Sequence, residues 1–392
     1  MRMVIFLSVF LTLYGSLHFY ALMKIGRAFG FHRGSTLPLA LFMGVMVICP
    51  ILVRVVERQG MEPLARVLAY TGYTWMGFLF LFVAAAAVLD LYRLLIYVGA
   101  HTLGWPFLKW TLSSKALFFW AFFASIMAGG YGLMEARSIQ REHVVIVSPE
   151  IPKKLGRLRI VQISDVHLGL IVGKKGLSRI LNVVQSAKPD ILVSTGDLLD
   201  GQIDGIKELA EAFQKIKPPY GKFAVNGNHE YYVGIDKARK FCKTAGFVLL
   251  SNKTFDIPGI LVIAGMDDLT ANRYELHGDF FEHQLLSRIP KDRFVLVLKH
   301  RPFLNDASKG LFDLQLSGHT HKGQIFPFSM MIKMLYLVDA GLLKLADGAA
   351  LYVSRGSGTW GPPMRVLSPP EVTIIDLVHG KRKKVDLQSR SD

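Results

Sequence analysis

Ser317-Gly318-His319-Thr320-His321-Lys322-Gly323-Gln324 is the stretch on which the reading of this chain turns. Two histidines one residue apart, fenced by glycines and preceded by Asp313-Leu314-Gln315-Leu316, predict a strand running into a tight loop that presents both imidazoles. Imidazole is the commonest protein metal ligand. Alone, such a pair is more often two solvated or hydrogen-bonded loop histidines than a metal site, so its meaning depends on what the rest of the chain brings to it.

From Arg159 onward, short β-branched runs alternate with helical periodicity, the pattern of strand-helix-strand units. Residues 160–164 read as a buried strand. The following helix carries Leu177, Ile180, Leu181 and Val184 on one face and ends at Pro189. Strands at 191–195 and 222–225 and helices at 206–215 and 235–244 follow. Further strand-like runs lie at 247–250, 260–264, 294–298, 311–316, 350–353 and 372–377. The expected fold is a layered α/β sheet sandwich with helices outside.

In such sheets ligands gather at the carboxyl ends of strands, and every candidate ligand lies there. Asp165-Val166-His167 follows the first strand, Gly196-Asp197-Leu198-Leu199-Asp200 the second, and Asn226-Gly227-Asn228-His229-Glu230 the third. Lys299-His300-Arg301-Pro302 follows 294–298, and Gly318-His319-Thr320-His321 follows 311–316. Each motif has a plain reading: Asp-x-His a turn, Gly-Asp a loop dipeptide, Gly-Asn-His-Glu a capped helix start, His300 a satisfied histidine before proline. Together they place carboxylates, an amide and imidazoles at successive strand ends, which independent loops do not do by accident.

In order and spacing the set resembles the calcineurin-like metallophosphoesterase superfamily, the dimetal phosphoesterases, from about Leu158 to the C-terminus. The resemblance implies a four-layer α/β/β/α sandwich. It implies two divalent metal ions, one on Asp165, His167, Asp197 and His321, the other on Asp197, Asn228, His300 and His319, with Asp197 as the bridge. A two-metal-activated hydroxide would hydrolyse a phosphodiester or pyrophosphate bond. His229 is the expected acid or leaving-group stabiliser, or else a phosphate-orienting group. Glu230 is expected to orient its neighbours, and Asp200 either does likewise or caps its loop. Mixed nitrogen and oxygen ligation suits manganese, the favoured metal here, as well as iron and zinc. The stretch Ser354-Arg355-Gly356-Ser357-Gly358-Thr359-Trp360, continuing to Pro369-Pro370-Glu371, resembles the bacterial branch that includes the YaeI and YkuE type. That branch often has Gly-Gly-Gln after the paired histidines, where Lys322 stands here, so a cation at the pocket rim is expected to bear on substrate choice.

The first third of the chain lies outside this resemblance. With 51% hydrophobic residues over 392 positions, part of the chain must sit in lipid. Four stretches, 4–23, 37–53, 67–89 and 116–133, reach the roughly 17–25 residues a bilayer span requires. An apolar segment at 91–113 carries Arg93 and Lys109 with Trp105, Pro106 and Trp110, and reads as an interfacial helix or a packed loop rather than a fifth span. The expected division is 1–136 as a transmembrane bundle, 137–157 as a linker and 158–392 as the phosphoesterase domain. Arg2, Arg54, Arg58, Arg66, Arg137, Arg141, Lys153 and Lys154 on one side, against Lys24, Arg27, Arg33, Arg93, Lys109 and Lys115 on the other, lean the C-terminal domain towards the cytoplasm by a small excess of positive charge, and the expected location is a bacterial inner membrane.

A net charge of +16 suits anionic partners: a membrane surface or a phosphorylated substrate. Nucleic acid is not expected, since no basic stripe interleaves with aromatics. Cys49 and Cys242, the two cysteines, imply neither a disulfide framework nor a cysteine metal site. The preferred expectation is therefore a membrane-bound phosphodiesterase or pyrophosphatase, acting beside lipid on an amphiphilic, nucleotide-linked substrate. The alternative is a catalytically silent membrane sensor or scaffold, which predicts broken ligands. A transporter with an attached esterase would need an ionisable residue deep in a span, whereas Asp90 falls at the end of one.

Overall fold

The long uncharged runs form helices, the structure in which a segment satisfies its own backbone without water. The computed structural model describes residues 2–104, 110–201, 205–274 and 279–381. The chain divides into two compact units: Met1–Met134 with Gly361–Val366, and Glu135–Trp360 with Leu367–Asp392.

The first unit contains α1 (Arg2–Phe29), α2 (Arg33–Arg58), α3 (Glu62–Thr102) and α4 (Ser114–Glu135, ending one residue past the unit boundary). Among the described residues, three helices are long and apolar enough to cross a membrane: Gly34–Arg58, Glu62–Thr102 and Ser114–Glu135. They hold the second, third and fourth expected spans, and the first, 4–23, lies within α1. Residues 91–102, part of the segment expected as an interfacial helix or a packed loop, do not form a separate helix. α3 instead runs unbroken for 41 residues, about 60 Å at 1.5 Å per residue, twice the roughly 30 Å hydrocarbon thickness. No proline interrupts it after Pro63, so nothing in the backbone stops it before Gly104. Trp105, Pro106 and Lys109 lie outside the described residues. Asp90 is consequently internal to α3, where Lys24 pairs with it and the Tyr20 hydroxyl donates to it at 2.6 Å, the paired state a charge within a bundle requires.

Gly361–Val366 belongs to this helical unit although it lies far along the chain. The Arg365 amide donates to the Gly132 carbonyl at 3.0 Å, and Met364 and Arg365 are fully buried. Glycines make the room. A Cβ on Gly77 would sit 2.6 Å from the Met364 sulfur, and one on Gly132 would sit 2.8 Å from Val366 Cγ2, the close approach that small residues permit on helix surfaces.

The second unit is built on two six-stranded sheets. The first has the order β1 (Gln140–Ser148), β12 (Glu371–His379), β2 (Arg157–Ile163), β3 (Ile191–Ser194), β4 (Lys222–Ala224), β5 (Val248–Leu249). The second has the order β10 (Gly341–Lys344), β11 (Ala350–Val353), β9 (Leu314–Ser317), β8 (Val295–Lys299), β7 (Leu261–Met266), β6 (Lys253–Ile257). β2 through β5 are mutually parallel, as are β7, β8, β9 and β11, so the carboxyl ends within each run point one way. Ile160, Ile191, Val193 and Phe223 of the first sheet share a core with Ile263, Leu296, Leu298 and Leu314 of the second. The outer face of the first sheet is covered by α5 (Lys174–Ala187), α6 (Ile206–Gln214) and α8 (Ile235–Ala245). That of the second packs on α9 (Asp279–Leu286). α7 (Asn228–Val233) and α10 (Phe328–Leu335) are short helices that follow ligand-bearing loops. This is the expected four-layer α/β/β/α sandwich. The stretch 137–157, expected as a linker, contains β1, which pairs in parallel with β12 from Gln140 to Ser148.

Candidate metal centre

β2, β3 and β4 of one sheet and β8 and β9 of the other end at one place, and each hands its loop a candidate ligand. Asp165 and His167 follow β2, Asp197 follows β3, Asn228 begins α7 after β4, His300 follows β8, and His319 and His321 follow β9. Asp165, His167, Asp197, His319 and His321 all adopt left-handed backbone, with φ of 51°, 52°, 52°, 72° and 49°. Non-glycine residues rarely do so. Strain gathered on neighbouring loops in this way marks a functional site.

The side chains converge in overlapping groups. Ligand atoms of Asp165, His167 and His321 lie within 4.8 Å of one another, as do those of Asp197, His300 and His319, and those of His167, Asp197 and His229. In the first group His167 Nε2 is 3.1 Å from His321 Nε2, and His321 Nε2 is 3.5 Å from Asp165 Oδ1. In the second, His300 Nε2 is 3.2 Å from both Asp197 Oδ2 and Asn228 Oδ1, and 3.1 Å from His319 Nδ1. Asp197 Oδ2 also lies 3.8 Å from His167 Nε2, so this carboxylate stands between the two groups.

The donor set fits divalent cations. Imidazole nitrogens and carboxylate oxygens face one another, a pattern of lone pairs that a cation resolves. His300 Nδ1 lies 2.8 Å from the Thr195 carbonyl, which fixes the proton on Nδ1 and turns Nε2 inward. Burial pushes His167 and His319 down to about 3, which keeps both imidazoles neutral as metal ligation requires. Burial pushes Asp165 up to about 6. At His300 burial also disfavours charge, but Asp197 and Asp165 outweigh it and raise the group to about 10, so the site holds a negative potential that favours cations.

Neighbouring groups lock the loops. Glu230 accepts hydrogen bonds from the amides of Asp197 at 2.9 Å, Leu199 at 3.1 Å and Gly227 at 2.7 Å. Burial raises its carboxyl to about 7. Gly227 has no room for a side chain, because a Cβ there would sit 2.2 Å from Asp197 Oδ1 and 2.7 Å from its amide nitrogen. Gly227→Ala is therefore expected to displace Asp197 and lower metal affinity roughly 10–100-fold, as loss of an outer support does. Titration of the apo-protein with manganese checks this.

His229 is buried beside His167 and Asp197. Its Nδ1 lies 2.8 Å from Asp200 Oδ1, and its ring is edge-on to His167, Tyr232 and Trp360 at centroid distances of 4.6, 5.4 and 5.8 Å. Asp200 thus orients this imidazole. Several supporting contacts escape a sequence reading. Gln324 and Trp360 exchange two hydrogen bonds of 2.9 Å. The Ser368 hydroxyl donates to the His321 carbonyl at 2.7 Å while the Ser368 amide donates to Glu135 at 3.2 Å. Arg301, beside His300, donates from Nε to Asp268 at 2.7 Å. Only Tyr232 carried a local signal, its three-residue spacing from His229 on a helix.

The comparison with known proteins agrees with this geometry. The profile described as calcineurin-like phosphoesterase matches residues 158–323. A metallophosphoesterase of Aquifex aeolicus (strain VF5) is 38% identical over 258 residues, spanning 65% of this chain and 98% of that protein. The chain belongs to the calcineurin-like metallophosphoesterase family. The metallophosphoesterase YkuE of Bacillus subtilis (strain 168) is 31% identical over 267 residues, covering 64% of this chain and 90% of that protein. A transmembrane protein with metallophosphoesterase domain from Danio rerio is 33% identical over 262 residues, 63% of this chain and 59% of that protein. The metallophosphoesterase unit thus follows apolar helices here, as its clustered histidines and aspartates follow the strands.

Proposed function

We propose that the protein is a membrane-bound, metal-dependent phosphoesterase that hydrolyses phosphodiester or pyrophosphate bonds in an amphiphilic substrate, with its catalytic unit on the cytoplasmic side of a bacterial inner membrane. The observation that carries the reading is the convergence of Asp165, His167, Asp197, Asn228, His300, His319 and His321 at the carboxyl ends of five strands. Asp165, His167, Asp197 and His321 would hold one divalent ion, and Asp197, Asn228, His300 and His319 the other, with manganese preferred over iron or zinc. Bound there, the pair supplies Lewis-acid neutralisation of phosphoryl oxygens and acidifies a water.

The chain's own residues do the rest. Asp197 sets the spacing of the two ligand groups, and Glu230 holds the loop that carries it. His229, oriented by Asp200, delivers a proton to the departing oxygen. Lys322 follows His321 directly, half-buried at the rim, and offers a cation to an anionic part of the substrate beyond the scissile phosphate. The spans keep this chemistry beside lipid, which is the reason to prefer an amphiphilic substrate such as a nucleotide-linked glycolipid.

The test is a substrate panel on purified protein with measured metal content. Manganese-loaded protein is expected to hydrolyse a lipid-linked diphosphate in preference to generic soluble diesters, and chelation is expected to remove both activities. Equal turnover of lipid-linked and soluble substrates would count against the amphiphilic choice. Metal binding without any turnover would count against hydrolysis.

A further inference from the structure

We propose that α10 and its flanks, Phe326 to Leu337, lie in the lipid interface and form the membrane-facing wall of the active-site mouth. This deepens the proposed function, on which it rests only for the role of the neighbouring histidines.

α10 is packed at both ends on the loop that carries His319 and His321. At its start, a Cβ on Gly323 would sit 2.5 Å from the Ser329 backbone, so the turn bearing His321 lies directly against the helix. At its end, the Tyr336 ring stands 6.1 Å from that of His319 and stacks on Phe303 at 5.4 Å. Just beyond, the Asp339 carbonyl accepts from the hydroxyl of Thr320, the residue between the two histidines, at 2.6 Å. The helix therefore runs along the rim of the metal centre.

Only Ile332 of this helix is buried in the unit. Phe326, Phe328, Met330, Met334, Leu335 and Leu337 are exposed, Met334 by 80% and Leu337 by 77%. A contiguous apolar face of this kind on a soluble unit marks an interaction surface. Its charge pattern names the partner. Between Ile325 and Val338 the one charged residue is Lys333, and Lys344 is exposed on β10 close by in sequence. Apolar residues interspersed with lysine and free of acids are the composition of a helix that lies in a bilayer surface with anionic headgroups. Chain length adds to this. Four residues lie between Glu135, where α4 ends, and Gln140, where β1 begins, and the steps between them reach at most about 18 Å when extended. A span-tethered unit meets lipid at a far higher effective concentration than it meets any soluble protein. An amphiphilic substrate held in the same surface would then present its phosphate beside α10 without leaving the bilayer.

The experiment uses the full chain in vesicles of phosphatidylethanolamine and phosphatidylglycerol, with a nitroxide attached at Met334→Cys or Leu337→Cys. Lys237→Cys on α8 serves as the exposed control. Cys49 and Cys242 are buried, and the parent protein measures their background labelling. The labels at 334 and 337 are expected to collide with oxygen, which concentrates in lipid, several-fold more than with a water-soluble nickel chelate, with the ratio reversed at 237. Nickel-dominated collisions at 334 and 337 overturn the proposal. So does spin–spin broadening that grows with protein density, which would make the face a contact between copies of the chain. The readout requires no turnover, so an inactive enzyme with lipid-exposed labels would refute the phosphoesterase reading alone, and an active enzyme with water-exposed labels would refute this inference alone.

Discussion

Asp197→Asn is expected to lower metal-dependent hydrolysis by about a thousandfold or more, the several kcal/mol of charge stabilisation that a metal pair contributes. The residue is buried, and its Oδ2 lies 3.2 Å from His300 Nε2 and 3.8 Å from His167 Nε2, one histidine from each ligand group. Burial alone would favour its neutral form, yet His300 and His229 hold its carboxyl well below the ordinary range, so a charge is maintained here against desolvation. Asparagine keeps the shape and removes that charge. Its amide donor would also face imidazole nitrogens that need to reach a cation. The Asp197 Oδ1 acceptor for the His229 amide, at 2.9 Å, can be retained by the asparagine oxygen, so the fold should survive. The measurement is metal stoichiometry together with kcat/KM on one diester, with thermal unfolding as the check on folding. Full activity in a folded, metal-depleted Asp197→Asn protein would falsify the bridging role.

What was legible in the sequence was local. Each ligand follows a short buried run such as residues 160–163 or 314–316, and the step from apolar strand to Asp, Asn or His needs only neighbouring residues to be seen. Features that fail this condition were hidden. β6 and β10 are edge strands with alternating or largely exposed faces, so neither offers the apolar run by which a central strand announces itself. β1 is an edge strand of the first sheet, exposed and half-buried by turns, and its charged start Gln140-Arg141-Glu142 reads as linker. The placement of Gly361–Val366 among the membrane helices depends on vacancies at Gly77 and Gly132, more than two hundred residues away in the chain. No periodicity within the hexapeptide encodes that. The aromatic setting of His229 divides the same way, since Tyr232 is readable from helix spacing and Trp360 is not.

His229→Ala is expected to leave metal content intact and lower turnover by about 10²–10⁴, the usual contribution of a positioned acid. The prediction separates two roles that geometry alone leaves adjacent, because His229 also lies within ligand distance of His167 and Asp197. A metal ligand and a general acid differ in what the substrate's leaving group should matter. An acid assists most when the departing oxygen is a poor anion, so the loss should be large for an alkyl diester and small for a nitrophenyl diester, whose phenolate leaves unaided. A ligand would cost both equally. The environment suits the acid: burial disfavours the imidazolium, but Asp197 and Asp200 override it and raise the group above its ordinary 6.5. A raised value keeps the proton available through neutral pH and releases it only as pH rises through the shifted value, so activity on alkyl diesters should fall on the alkaline side in the parent protein. That fall should vanish in His229→Ala. Asp200→Asn, which keeps the imidazole but weakens its ion pair, should shift the alkaline fall to lower pH with metal content unchanged. Metal loss from His229→Ala, with equal damage to both leaving groups, would assign the residue to the metals instead.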